Sequence, residues 1–384
     1  MRIGRVLEAA LEITMTTIWL ALLLLPAGAA GADYIAYIAG SGIQNVTGIY
    51  GYRFDSKSGK LQPMGVLGEA DSPSFLAIHP NRRYLYAVTG TNGGAVSAFS
   101  IDASAGKLTL LNSVSSKGKG PCYVRVDRTG RNALVANYDG GSIAVIPIAA
   151  DGKLREASSV VQHSGTVADP KRQGGPHAHS INPSPDNRFV VAADLGLDKL
   201  MVYRFDPDAG TIAPNEPPFA QVAPRSGPRH FTFHPNAKHA YAINEISCTV
   251  TAFNYDAKNG ILKEIQTVST LPKGVTVTSD LSTAEVLVHP SGKFLYGSNR
   301  GHNTIAVFSI SPQGTLTLVD NVDTQGRMPR NFGIDPTGSF LLALNQSSNN
   351  VVVFRIDKKT GRLSPTGQTV ETPGPMCVRF LPVK

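Results

Sequence analysis

Charge, cysteine and tryptophan are all scarce in this chain of 384 residues. Charged residues make up 17% of it, against roughly 25% in an average protein. Hydrophobic residues nevertheless reach 42%, which excludes intrinsic disorder because a disordered chain combines low hydrophobicity with high charge. The three cysteines are far apart and odd in number, at Cys122, Cys248 and Cys377, so nothing requires a disulfide.

The sequence also lacks the motifs of several enzyme and binding classes. No Gly-x-Gly-x-x-Gly follows a strand and opens a helix, and no Gly-x-Ser-x-Gly occurs, so neither a dinucleotide cofactor nor a serine nucleophile elbow is expected. His177 and His179 have a spacing that two metal ligands on a strand can share, but no third ligand accompanies them. Basic residues are scattered over turns without interleaved aromatic residues, so the net charge of +8 does not predict nucleic-acid binding. We expect no cofactor and no metal.

The amino-terminal residues 1–32 have the organisation of a secretory signal peptide. Arg2 and Arg5 give a basic start, Ile18–Leu25 is an apolar core, and a run of Ala and Gly follows. We predict cleavage near residues 29–32. The alternative is an uncleaved membrane anchor, since twenty residues of this segment carry no charge. Cleavage removes two arginines and two glutamates, so the net charge of +8 stays unchanged.

A sequence unit recurs along the rest of the chain. It consists of a first residue, five further residues, a His, Asn or Asp in most copies, a small turn and an apolar strand. Seven copies follow each other at intervals of 46 to 55 residues, which is the repeat length of β-propeller blades. The first residues of the copies are Pro73, Pro121, Pro176, Pro228, Thr283, Pro329 and Pro375.

Each unit predicts four short strands, because β-branched and aromatic runs are separated by Gly, Pro and Asn. The last unit supplies one strand only, Met376–Leu381, and the missing strands are found at the other end of the chain, in Tyr34–Ala39 and Gly48–Phe54. We therefore predict an all-β fold, a single seven-bladed β-propeller over residues 33–384. Its last blade is closed by amino- and carboxy-terminal strands, which leaves no free sheet edge.

The repeat serves as an internal control for finding functional residues. The third residue after the start of the unit is apolar in six copies, whereas the third copy has His179 there. The fifth residue is apolar in all seven copies, which fixes the buried parity of the strand. His179 is therefore predicted to point to the packed side, near the start of its strand.

Charged residues stand out at two other positions of the unit. Glu245 and Arg300 follow a recurrent Asn at the end of the second strand, and Arg229 and Arg330 follow the first residue of their units. Antiparallel pairing places these positions side by side, so the four residues and His179 are expected at one rim of the propeller. Such a set can bind an anion and move protons. The alternative is a set of salt bridges between blades.

Longer motifs resemble those of a known family, the seven-bladed lactonases that include bacterial 6-phosphogluconolactonase and fungal 3-carboxy-cis,cis-muconate lactonizing enzyme. The resemblance covers essentially the whole chain after the signal segment. The motifs that carry it are Arg172–His179, Asp194–Asp198, Gly227–Phe231, Asn244-Glu245, Asp280-Leu281, Ala284-Glu285, Ser298–His302 and Pro329–Phe332.

The resemblance implies which residues act in the reaction. The catalytic His, Glu and two Arg of the family match His179, Glu245, Arg229 and Arg300. In lactone hydrolysis, Glu245 or His179 would deprotonate the attacking water, and the arginines would stabilise the oxyanion. We expect a second set of residues to bind the substrate, namely His177, Asp194, Arg330 and Asn299.

The expected function is that of an exported hydrolase which opens a sugar or carboxylated lactone, similar to 6-phosphogluconolactonase. The signal segment places the protein in the periplasm or outside the cell. Two alternatives stay open: a lactonizing cycloisomerase of the muconate type, and a non-catalytic propeller that binds an anionic ligand or a protein. We expect a monomer with a small anionic lactone as its partner, and membrane attachment only if the signal is uncleaved.

Overall fold

The computed structural model describes residues 34–40, 47–90 and 93–383, and the predicted signal peptide lies outside these ranges. The described residues form seven antiparallel sheets of four strands each, which belong to one compact unit. They include one short 3₁₀ helix, Gln346–Ser348, and no helix with the length and apolarity needed to cross a membrane. The predicted fold class, an all-β seven-bladed propeller, is confirmed.

The strands of the first three complete blades follow the chain without crossovers. Blade 1 contains β4 (Phe75–Ile78), β5 (Tyr84–Thr89), β6 (Ala95–Ile101) and β7 (Leu108–Ser115). Blade 2 contains β8 (Pro121–Val126), β9 (Asn132–Asn137), β10 (Ser142–Pro147) and β11 (Ser159–Gln162). Blade 3 contains β12 (Ala178–Pro183), β13 (Phe189–Asp194), β14 (Lys199–Asp206) and β15 (Thr211–Gln221).

The next three blades repeat this order, and the seventh combines both ends of the chain. Blade 4 contains β16 (Pro228–Phe233), β17 (His239–Asn244), β18 (Thr249–Asp256) and β19 (Ile261–Ser269). Blade 5 contains β20 (Ser282–Val288), β21 (Phe294–Arg300), β22 (Thr304–Ile310) and β23 (Leu316–Asp323). Blade 6 contains β24 (Pro329–Ile334), β25 (Phe340–Asn345), β26 (Asn350–Ile356) and β27 (Leu363–Glu371). Blade 7 contains β1 (Tyr34–Gly40), β2 (Thr47–Phe54), β3 (Leu61–Asp71) and β28 (Pro375–Pro382).

Blade 7 closes the ring as the sequence predicted. Strand β1 pairs antiparallel with β28 on one side, where Ile38 lies opposite Val378, and with β2 on the other. Pairing between the two ends of the chain closes the row of blades into a ring. The blades are therefore fixed around one central channel, and side chains from different blades can meet at its rim.

The recurrent His of the unit joins neighbouring blades. The Nε2 atoms of His79, His234 and His289 lie 2.7, 2.7 and 2.8 Å from carbonyl oxygens of Gly130, Gly292 and Gly338 in the next blade. In each case the ring Nδ1 accepts a backbone N–H two residues further on, so Nε2 carries the proton that it donates. These histidines are structural, which separates them from His179.

Candidate active site

The inner strands carry a β-bulge near the start of their pairing with the second strand. In five blades one residue at this point has no partner on the neighbouring strand. A bulge turns a side chain away from the regular alternation of the strand. All five side chains line a cavity at the same rim, and they are Cys122, His179, Arg229, Arg330 and Met376.

The bulges correct the alignment of the third repeat. Ala178 pairs with Asp194 in blade 3, just as Pro228 pairs with Asn244 in blade 4, so the third unit begins at Ala178 rather than Pro176. His179 is thus the equivalent of Arg229, not of an apolar strand residue. The sequence pattern could not reveal this shift, because a displacement of two residues leaves the inward and outward faces of a strand unchanged.

The main rim cavity has a volume of about 340 Å³, a size within the range of small-molecule sites. The ionisable side chains that line it include His179, Glu245, Arg300 and Arg330. The remaining lining combines hydroxyl groups, glycines and one carboxylate with a few less polar side chains. These residues are Ser72, Ser74, Thr89, Gly90, Gly120, Tyr138 and Asp139, together with Pro121, Cys122 and Met376. The cavity can therefore hold a molecule with a negative charge and several hydroxyl groups.

Glu245 lies at the centre of a cluster of guanidinium groups. Its Oε2 is 2.9 Å from Nε of Arg229 and 2.8 Å from Nη2 of Arg300. Its Oε1 accepts a hydrogen bond of 3.0 Å from Nη2 of Arg172. Burial alone would raise the pKa of Glu245, but the charges of Arg300, Arg229, Arg172 and Arg330 outweigh it and lower the pKa to about 2. Glu245 is ionised at neutral pH, and both of its oxygens are engaged.

Backbone carbonyls of blade 5 fix the two buried arginines. Arg229 donates from Nη1 to the carbonyl of Ala284 at 2.7 Å. Arg300 donates from Nη2 to the carbonyl of Thr283 at 2.7 Å. Burial, followed by the nearby charges of Arg300 and Arg330, lowers the pKa of Arg229 to about 9. The guanidinium groups of the cluster thus repel one another, and a bound anion would reduce this repulsion.

Arg330 differs from its two neighbours in having no internal partner. Across residues 34–40, 47–90 and 93–383, no carboxylate or carbonyl accepts a hydrogen bond from its guanidinium. Burial, with the charge of Arg300, lowers the pKa of Arg330 below its usual value. A guanidinium that lines a cavity without a hydrogen-bonded carboxylate is ready to bind an anionic group of a ligand.

His179 lies beside Cys122 at the bulged positions. Its Nδ1 is 3.7 Å from the Cys122 sulfur, and its ring meets those of Tyr138 and His230 edge to face at 5.2 and 5.3 Å between centroids. Burial, and then the charge of Arg229, lower the pKa of His179 well below 6.5. The imidazole is therefore neutral at neutral pH and has a lone pair that can accept a proton. Burial raises the pKa of Cys122 to about 12, so this thiol is not a nucleophile at neutral pH.

A buried network next to the cavity holds Arg229 in place. Nη1 of Arg229 lies 3.2 Å from Nε2 of His230, and Nδ1 of His230 lies 2.8 Å from Oε1 of Glu285. The other Glu285 oxygen accepts a hydrogen bond from Asn331. Since Arg229 can only donate, His230 accepts at Nε2 and donates from Nδ1. This network was not predicted, because its residues lie one position further along the unit than the residues singled out in the sequence.

Three of the expected substrate-binding residues do not line the rim cavity. Asn299 is buried and donates to the carbonyl of Thr270 in the preceding blade. Asp194 occupies the equivalent position in blade 3, where its Oδ2 lies 2.6 Å from Nδ1 of His163. His177 stacks on the ring of Tyr138 at 4.4 Å. The first two connect blades, and the third supports a residue of the lining.

Arg172 and Tyr138 belong to the site but were not among the site residues predicted from the sequence. Arg172 comes from the irregular segment between β11 and β12 and reaches Glu245. Tyr138 lines the cavity, and its position after the strand β9 corresponds to that of Glu245 after β17. The equivalent position could have indicated Tyr138 from the sequence. No pattern in the sequence indicates where an irregular segment folds.

Comparison with known proteins identifies the family. The sequence model of the family described as "Lactonase, 7-bladed beta-propeller" matches residues 35–380. The chain is 38% identical to the 6-phosphogluconolactonase of Bacillus subtilis over 350 residues, which are 91% of this chain and 98% of the relative. The 6-phosphogluconolactonase of Formosa agariphila is 36% identical over 335 residues, with 85% and 94% covered.

A solved structure agrees with these sequence matches. The periplasmic gluconolactonase of Pseudomonas aeruginosa has a TM-score of 0.85 and 32% identity, with 91% of this chain and 99% of that chain covered. The expected enzyme class, a lactone hydrolase, is confirmed. The chain belongs to the family of seven-bladed β-propeller lactonases.

Proposed function

We propose that this protein hydrolyses an anionic sugar lactone of the 6-phosphogluconolactone type in the rim cavity. The observation that carries the proposal is the unpaired Arg330 beside a neutral His179 and the cluster around Glu245. Two relatives named 6-phosphogluconolactonase support a phosphorylated sugar lactone as the substrate class. Hydroxyl groups of Ser72, Ser74 and Thr89 suit the hydroxyls of a sugar.

The geometry favours His179 over Glu245 as the base. Both Glu245 oxygens accept from guanidinium groups, and a carboxyl with a pKa of about 2 is a weak base. His179 is neutral and lines the cavity. It takes a proton from water as the water oxygen bonds to the lactone carbonyl carbon. When the bond from that carbon to the ring oxygen breaks, the imidazolium returns the proton to the leaving oxygen, which gives the hydroxy acid.

The arginines act on the negative charges of the substrate and of the intermediate. Arg330 binds the anionic substituent, and Arg300 stabilises the oxyanion that forms when water adds to the carbonyl. Glu245 acts as a positioning residue, because it orients Arg229 and Arg300. An anion at Arg330 also offsets one of the charges that lower the pKa of His179, so substrate binding makes the imidazole a stronger base.

Lactone hydrolysis by purified protein tests the proposal. Acid release is measured with 6-phosphogluconolactone and δ-gluconolactone, above the spontaneous rate, for wild type, His179→Gln and Arg330→Gln. Removal of the general base should lower kcat by roughly a hundredfold or more. Loss of Arg330 should raise KM about tenfold or more for the phosphorylated lactone, and much less for the uncharged one.

Matched variants outside the cavity serve as controls. His302→Gln and Arg327→Gln make the same changes at residues that do not line it, and both should retain wild-type kinetics. Absence of lactone hydrolysis by the wild type, or equal rates for wild type and His179→Gln, would contradict the proposal.

We also propose that the enzyme works in the periplasm or outside the cell. Residues 1–32 have the organisation of a secretory signal, and one similar protein is named a periplasmic gluconolactonase. Amino-terminal sequencing of the protein from its natural source should find a start soon after residues 29–32. A start at Met1 in a cytoplasmic fraction would contradict export.

A further inference from the structure

A second cavity lies at the opposite end of the central channel. Its volume is about 470 Å³. Arg125 of β8 and Arg379 of β28 line it, each three residues further along its inner strand than the bulged Cys122 and Met376 at the rim. Arg128, in the turn after β8, adds a third guanidinium. We call this cavity the lower mouth.

The three arginines of the lower mouth form no ion pair within the described part of the chain. Only Arg379 uses its guanidinium in a hydrogen bond, to the carbonyl of Val378 at 2.7 Å, and it also experiences the negative charge of Glu285. Burial and the charge of Arg125 lower the pKa of Arg128, which indicates repulsion between these two groups.

The carboxylate in this region does not neutralise the arginines. Asp127 lines the lower mouth, but its oxygens accept hydrogen bonds from the backbone of Asn132, from Thr129 and from the side-chain amide of Asn187. These bonds fix the turn after β8 and the contact with blade 3. Arg125 and Arg128 therefore present positive charge that no ion pair of the described residues compensates.

Side chains across the channel separate the lower mouth from the rim cavity. Phe75 and Tyr123 stack with ring centroids 4.2 Å apart, and His230 meets both rings edge to face. The Arg379 guanidinium lies 4.7 Å from the centroid of the Phe75 ring. The two cavities share no lining residue, so a ligand in the lower mouth does not touch His179 or Glu245.

We propose that the lower mouth is a second anion-binding site, which takes a small multivalent oxyanion such as a phosphate, a diphosphate or a tricarboxylate. Guanidinium groups match such oxyanions because their N–H donors form a planar fork. Three of them around a concave space bind a compact polyanion better than a single charge. This inference is independent of the proposed lactone hydrolysis at the rim.

Calorimetric titration with inorganic diphosphate and with citrate, each in the absence of metal ions, tests the site. The Arg330→Gln variant is the starting protein, because it removes the unpaired guanidinium of the rim cavity. Adding Arg125→Gln and Arg128→Gln should weaken binding at least tenfold. Adding Lys258→Gln and Lys263→Gln makes the same change of net charge at exposed residues elsewhere and should leave the affinity unchanged.

Two results would overturn the lower-mouth site: no binding of either anion at millimolar concentration, or equal affinities in the arginine and the lysine variants. Preference for diphosphate or for citrate identifies which kind of oxyanion fits. Arg125→Gln with Arg128→Gln in an otherwise wild-type protein should keep the kcat and KM for lactones. Failure of the lower-mouth site and failure of the rim proposal are therefore distinguishable.

Discussion

Replacing Glu245 with Gln removes the only carboxylate that contacts Arg229 and Arg300 among the described residues. The side chains of the three residues are 10%, 3% and 8% exposed, so solvent cannot take over the role of the carboxylate. Removing one partner of a buried ion pair costs about 3 to 5 kcal/mol in proteins. We therefore expect Glu245→Gln to lower the free energy of unfolding by about this amount.

The pKa of Glu245 gives a second measure of the same effect. Burial opposes ionisation, but the arginines lower the pKa from 4.5 to about 2. One pH unit in pKa corresponds to about 1.4 kcal/mol, so the ionised carboxylate stabilises the folded state by about 3 kcal/mol. A carboxyl with a lowered folded-state pKa stabilises fully above about pH 4.5, and the contribution disappears as the pH falls to about 2.

Thermal or urea unfolding of wild type and Glu245→Gln is followed from pH 7 down to pH 2. It measures the loss of unfolding free energy and the pH range in which this loss disappears. At pH 7 the variant should melt about 4 to 7 °C lower, from an unfolding entropy of about 2 cal/mol/K per residue. The difference should shrink between pH 4.5 and 2, because a protonated Glu resembles Gln. Glu69→Gln, at an exposed position, should match the wild type throughout. A stability difference that is absent at pH 7, or that persists unchanged in acid, would refute the role of the ion cluster.

Three further results are expected from the same site. Because the pKa of His179 lies well below 6.5, kcat/KM should be level around neutral pH and fall only in acid, where the base becomes protonated; a midpoint at or above pH 6.5 would contradict this. His230→Phe should lower kcat through misplacement of Arg229, and His230→Gln, which retains an acceptor for Nη1, should recover part of it; equal activities of both variants would contradict a positioning role. Cys122, whose pKa burial raises to about 12, should resist iodoacetamide at pH 7, and Cys122→Ser should remain active; rapid inactivation of the wild type at that pH would contradict the high pKa.

The repeat predicted the fold and the rim residues because deviation from a repeated structural pattern is informative. Seven copies of the unit identify the blades, and the charges of Arg229, Glu245, Arg300 and Arg330 identify the rim from the sequence alone. His179 was found from an alignment that was wrong by two residues. It still stood out, since a His departs from the pattern at either position of the inner strand.

Residues that act through partners distant in sequence could not be found in this way. Asn299 and Asp194 lie beside the rim in sequence, but their side chains turn towards the preceding blade. Arg172 depends on the path of an irregular segment, and the pair of His230 and Glu285 depends on the distance between two blades. A sequence pattern fixes which face of a strand a residue occupies, whereas tertiary packing decides which partner it meets.

The asymmetry of the rim cavity follows from which blades carry the charges. Blades 3 to 6 supply His179, Glu245, Arg300 and Arg330, whereas blades 1, 2 and 7 supply hydroxyl groups, glycines and the carboxylate of Asp139. A sugar lactone with one anionic end therefore has a preferred orientation in the cavity.

A crystal structure of the protein with 6-phosphogluconate, the product of the proposed reaction, tests the location of the active site most directly. The proposed mechanism predicts the product in the rim cavity, with its phosphate on Arg330 and its carboxylate within reach of Arg300 and His179. Binding of the product outside this cavity, or in the rim cavity with no contact to Arg330 and His179, would contradict the proposed site.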